Sequence, residues 1–151
     1  MFWKFSLVNS AFAAFATFYI LATGTNDDPS SFWNDRFSFI ENLVLMAIPI
    51  TWLIGPYAGM GGLAFWLRSN RRLSARLFGI FLLLSIIGVT LLAADQAVWI
   101  DSDNRRMGQR VAPFLIALGQ WAAVALVALI TVPIFYFSKA NPKQIEPEDP
   151  V

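Results

Sequence analysis

The sequence predicts an all-α fold: an integral membrane bundle of four helices with both termini on the same side. Three observations predict it. The chain has 151 residues, of which 57% are hydrophobic and only 14% charged; soluble domains average about 45–50% apolar and about 25% charged. Four uncharged apolar runs, 5–23, 43–67, 77–94 and 111–137, take up 89 of the 151 residues. Each is close to the roughly 20 residues that a helix needs to cross a bilayer, and none shows the alternation of a membrane strand. The chain therefore reads as one transmembrane domain over 1–137 and a flexible cytoplasmic tail over 138–151.

The first run carries Lys4 ahead of an apolar stretch, in the manner of a signal peptide. Its end, Ile20-Leu21-Ala22-Thr23-Gly24, is a poor small-x-small cleavage site, so a retained helix is expected. Ser6, Ser10 and Ala14 line one side of it at intervals of four, a spacing that lets helices approach closely. Asn9 adds an amide.

The first connection contains Asp28-Pro29, an acidic N-cap with proline at the first helical position. Phe32, Trp33, Phe37, Phe39 and Ile40 follow, an aromatic segment suited to headgroup depth or to a partner.

The second run is the least regular. Pro49 lies within it, and Gly55-Pro56-Tyr57-Ala58-Gly59-Met60-Gly61-Gly62 follows. Proline removes a backbone bond and can bend the helix. Gly55 and Gly59 form one small-residue face, and Ala58 and Gly62 repeat it one face over. Both are expected to pack helices, inside the bundle or against a partner.

The connection 68–76 holds four arginines and no acid. With Lys4, Lys139 and Lys143 this side carries seven Lys and Arg, against four (Arg36, Arg105, Arg106 and Arg110) on the other. Positive charge favours the cytoplasm, so both termini are expected there. The compact loops fit a bacterial inner membrane. The arginine loop lacks interleaved aromatics and abuts two membrane helices, so it reads as an anchor, with contact to anionic lipid, rather than as a nucleic-acid site.

The third run brings Ser85 and Thr90, and ends at Ala94 with Asp95 at its boundary. The fourth contains Gln120 about 13 Å from its start at 1.5 Å per residue. An amide at that depth needs a partner on another helix, because lipid offers none. Gly119, Ala123 and Val127 form a weaker small face beside it.

Candidate chemistry is sparse. The chain has no Cys and no His, which excludes thiolate and imidazole metal sites and a Ser-His-Asp triad. No phosphate-cradling or dinucleotide motif occurs. The expectation is no catalytic residue, no metal and no cofactor. Partners are expected to be the lipid bilayer and membrane-protein subunits. Helix-packing or partner-contact residues are Asn9, Trp33, Gly55, Gly59 and Gln120. The function expected is a non-catalytic accessory, assembly or stabilising subunit of a larger membrane complex. The alternatives are a small oligomeric transporter or channel, and a lipid-directed enzyme using Arg36, Glu41, Asp95, Asp101 and Asp103.

Overall fold

The computed structural model describes residues 1–24, 38–101 and 112–140. It contains four helices and, among the described residues, no strand: α1 (Phe2–Gly24), α2 (Phe39–Trp66), α3 (Arg71–Asp101) and α4 (Ala112–Ala140). All four are long and apolar enough to cross a membrane, over Phe2–Leu21, Ala47–Trp66, Arg71–Val98 and Ala112–Ser138. α1 and α3 outrun their uncharged runs at both ends, α2 at its start and α4 at its end. The largest excess is in α3, which begins at Arg71 and continues past Ala94 to Asp101. A helix keeps its backbone bonds into the polar boundary, whereas an apolar run stops where water begins. Asp28-Pro29, the aromatic segment around Trp33 and the tail from 141 lie outside the described residues.

The helices alternate in direction. Phe2 and Phe5 meet Phe78, and Asn9 meets Ser85, so α1 and α3 run parallel. Trp3 packs on Phe65, and Leu7 and Ser10 face Gly61, so α2 runs the other way. α4 accompanies α2, from the Trp52–Trp121 ring pair to the tilted and edge-on contacts of Trp66 with Phe135 and Tyr136. α1 packs chiefly on α3 and α2, and α4 bridges α2 and α3 on the opposite side. All the described cations outside α4 (Lys4, Arg68, Arg71, Arg72 and Arg76) fall at one end, hereafter the basic end; Glu41, Asp95 and Asp101 fall toward the other, the acidic end.

The core is built from Ala13, Tyr57, Met60, Ala64, Leu67, Leu77, Phe81 and Val124. α1 contributes mainly small side chains: Ser6, Ser10, Ala13 and Thr17 are all buried. Ala14 is only partly buried and packs at the margin, so the seam follows 6, 10, 13 and 17 rather than a strict interval of four. A 3.6-residue turn requires that drift. Large apolar side chains cover the outside: Phe12, Ile48, Leu83, Leu129 and Phe137 are all exposed.

Local chemistry sets two helix ends. Ser38 and Glu41 form a capping box at the start of α2: the Ser38 N–H and hydroxyl donate to Glu41 Oε2 at 2.8 Å each, and the Glu41 N–H donates back to Ser38 Oγ at 3.4 Å. These bonds favour the charged carboxylate, and the Glu41 pKa is lowered, chiefly by the Ser38 backbone N–H. A carboxylate with a lowered folded-state pKa stabilises above its unfolded pKa, and that contribution is lost as pH falls through the folded one. Amides at the start of α2 are thus expected to exchange faster as the solution is acidified through the carboxylate range. A Glu41→Gln variant, measured by hydrogen exchange in detergent, should show a flat response. At the basic end, Asn70 Oδ1 accepts from the N–H groups of Arg72 and Leu73, both at 3.1 Å, and caps α3. Ser74 Oγ donates to the Leu67 carbonyl at 3.3 Å, closing the short turn between α2 and α3. Arg68 lies over the Phe65 ring at 4.0 Å.

Candidate functional site

Three groups of polar side-chain contacts join the membrane helices to one another. The first joins α1 to α3: Asn9 Nδ2 donates to Ser85 Oγ at 3.0 Å. The second joins α4 to α2 near the middle of the spans: Gln120 Nε2 donates to the Tyr57 hydroxyl at 2.9 Å, and both residues are buried. Gly88 of α3 makes room for this pair. A Cβ at Gly88 would overlap the Gln120 amide and stand 2.9 Å from the Tyr57 oxygen. Three helices therefore converge on one hydrogen bond, and a residue without a side chain is what permits it.

The third group follows from proline. Pro56 has no N–H, so the Trp52 carbonyl four residues earlier loses its helical donor. Trp121 Nε1 supplies one from α4 at 3.2 Å. In return Trp52 Nε1 donates to the Phe114 carbonyl at 3.4 Å, and the two indoles lie 6.3 Å apart. The Trp121 ring rests on Gly55, where a Cβ would collide with it. Gly59 lies one turn on, 3.5 Å from Val124 as measured from an ideal Cβ. A break in the ladder of α2 is thus repaired by its neighbour, as an apolar medium demands.

The residues singled out from the sequence are placed as follows. Gln120 and Asn9 each bond to another helix. Gly55 and Gly59 face α4. Ala58 and Gly62, by contrast, are exposed, and nothing lies within 4 Å of a Cβ built at Gly62. Gly119 is likewise open. Trp33 lies outside the described residues. Asp95, read from the sequence as a boundary residue, stands on a continuous α3, close to the end of the candidate span Arg71–Val98.

Tyr57, Gly88 and Trp121 were not distinguished in the sequence. One signal for Trp121 was present: a proline in a membrane helix frees a carbonyl, and a tryptophan on a neighbouring helix is a donor. Tyr57 and Gly88 are recognisable only once α2, α3 and α4 are in register.

The central groups, Tyr57, Gln120, Asn9 and Ser85, are neutral hydrogen-bonding side chains directed at one another. Their chemistry is that of fixing helix register. Among the described residues, no three acidic, Cys or His side chains are grouped to hold a metal. No family model, no curated protein and no solved structure matches this chain.

Proposed function

We propose that this chain is a non-catalytic accessory subunit of a larger membrane complex, holding or stabilising its partners within the bilayer. The reading places it in a bacterial inner membrane with the basic end and both termini cytoplasmic, because arginine and lysine favour that side. One observation carries it. α2 bears two small-residue faces of the same spacing, and only one is used internally. Gly55 and Gly59 are occupied by Trp121 and Val124, whereas Ala58 and Gly62 point outward over open space. In lipid, helix association is driven by close packing rather than by the hydrophobic effect, so an outward small face favours a partner helix over lipid chains. The interior supports the same reading, since its central polar groups are engaged with one another.

The test is extraction from the native membrane in mild detergent through a cleavable C-terminal tag, followed by native mass measurement. The expected result is a set of partners in fixed stoichiometry. Gly62→Leu and Ala58→Leu should reduce their recovery at least tenfold without lowering the unfolding temperature of the isolated chain. Recovery of the chain alone, or only as a homo-oligomer, would overturn the proposal.

A further inference from the structure

The spans contain a single carboxylate, and it is poorly provided for. Asp95 is the only Asp or Glu within the four membrane-length segments. Its Oδ2 is buried and has no hydrogen-bond partner. The same is true of Oε1 of Gln96, the next residue, whose side chain is 95% buried by its 5% exposure. It is true also of Thr17 Oγ1 on α1, a residue only 2% exposed. Buried polar atoms are nearly always satisfied, so three orphaned oxygens in one region require an explanation.

Helix geometry brings them to one level. The Asn9–Ser85 bond and the Phe2–Phe78 contact fix α1 and α3 in parallel register. From that level, Thr17 rises about 12 Å, Asp95 about 15 Å and Gln96 about 16 Å toward the acidic end, at 1.5 Å per residue. Gln96 lies about three turns beyond Ser85 and so shares the face that meets α1. Asp95 lies about two turns beyond Gly88, on the face that meets the Tyr57–Gln120 pair. Thr17 continues the buried seam of α1. All three therefore sit on the interior faces of their helices, above the central hydrogen bond.

From these orphaned oxygens we infer a binding site for a small monovalent cation on the interior side of α3 at the acidic end, with Gln96 and Thr17 on its α1 side and Asp95 on the side toward α2 and α4 as its oxygen ligands. The chemistry of the set selects the ligand. The carboxylate and amide oxygens are acceptors only, and the hydroxyl can turn its lone pairs inward. Presented through its orphaned oxygens, with the Asp95 carboxylate among them, such a set repels an anion and suits a hard cation. An ionisable residue in a membrane span is retained where it has a partner or a task, and a cation supplies the partner. The shared chemistry admits an alkali-metal ion or a small primary ammonium. This site stands apart from the small-residue face of α2 and does not depend on the subunit reading.

The experiment measures the unfolding temperature of the purified full chain in detergent, at equal ionic strength, in sodium, potassium, methylammonium or choline chloride. Choline, bulky and without N–H donors, is the reference. A ligand that binds only the folded state stabilises it in a saturable way. The expected result is a saturable rise in at least one of the three small cations, absent in Asp95→Asn. An alkali ion is identified if sodium or potassium gives the rise, and an ammonium ligand if methylammonium does so alone. Thr17→Val removes one oxygen with little change of shape and should shift the midpoint of the titration at least tenfold upward. It also decides the matter if Asp95→Asn fails to fold. The same unfolding temperature in all four salts would overturn the inference, as would an undiminished response in Asp95→Asn or Thr17→Val.

Discussion

Gly55→Ala is expected to destabilise the bundle by about 3 kcal/mol, although alanine is the better helix former. The added methyl collides with the six-membered ring of Trp121, a rigid group with no free end to swing aside. Overpacking of this kind costs about 1–3 kcal/mol. Displacing the indole also withdraws its N–H from the Trp52 carbonyl, which Pro56 has already deprived of a helical donor. An acceptor left unpaired in an apolar medium costs about 1–3 kcal/mol more. Against this stands a gain of about 1 kcal/mol in helix propensity. Gly62→Ala is the control, because a Cβ there meets nothing within 4 Å. It should be neutral or stabilising by up to about 1 kcal/mol. Unfolding in mixed micelles, followed by helix content, measures both. Equal effects at the two glycines would show that the Trp121 contact does not govern stability.

The second large effect is expected at the central hydrogen bond. Tyr57→Phe leaves the Gln120 amide buried without its acceptor, and Gln120→Leu leaves the Tyr57 hydroxyl buried without its donor. Each should cost about 1–3 kcal/mol, because the orphaned group has neither water nor a substitute partner. The double variant removes both polar groups and should cost less than the sum of the singles. The coupling is expected within the range of interhelical bonds in membranes, about 0.6–1.7 kcal/mol. Gly88→Ala probes the same pair from α3. Its methyl overlaps the far end of the flexible Gln120 side chain, which can swing away only by breaking the bond. Gly88→Ala should therefore destabilise the native chain, and less so in the Gln120→Leu background, where no hydrogen bond is left to break and the close approach to the Tyr57 oxygen remains. Strict additivity in both cycles would refute the three-helix junction.

The two sets of variants are informative because they divide α2 by face. Gly55, Tyr57 and Gly59 belong to the interior, and changes there should lower stability. Ala58 and Gly62 belong to the exterior, and changes there should lower partner recovery instead. A single helix thus separates what holds this chain together from what is proposed to hold it to others.

Much of this was legible in the residues themselves. Four uncharged runs of membrane length leave no other fold class, since each is a helix that satisfies its own backbone in lipid. The need of Gln120 for a partner was legible for the same reason, because an amide at that depth has no water. The arginines of 68–76 mark one end by charge alone. The extent of α3 was not legible, since hydropathy ends where polar residues begin and the helix does not; this is why Asp95 lies on a continuous helix rather than at its edge.

What the tertiary structure alone decided is which of two equivalent patterns was used. Gly55/Gly59 and Ala58/Gly62 have the same spacing and differ by one methyl group, too little to say which is used. The choice is made by Trp121, more than sixty residues away, whose ring fills one face and whose N–H completes the carbonyl freed by Pro56. In the same way Gln120 specified that a partner exists, but the register of three helices specified Tyr57, and specified glycine at position 88. Length and hydropathy act along the chain and can be read from it. Packing acts between segments brought to the same depth, and that depth is known only when the helices are assembled.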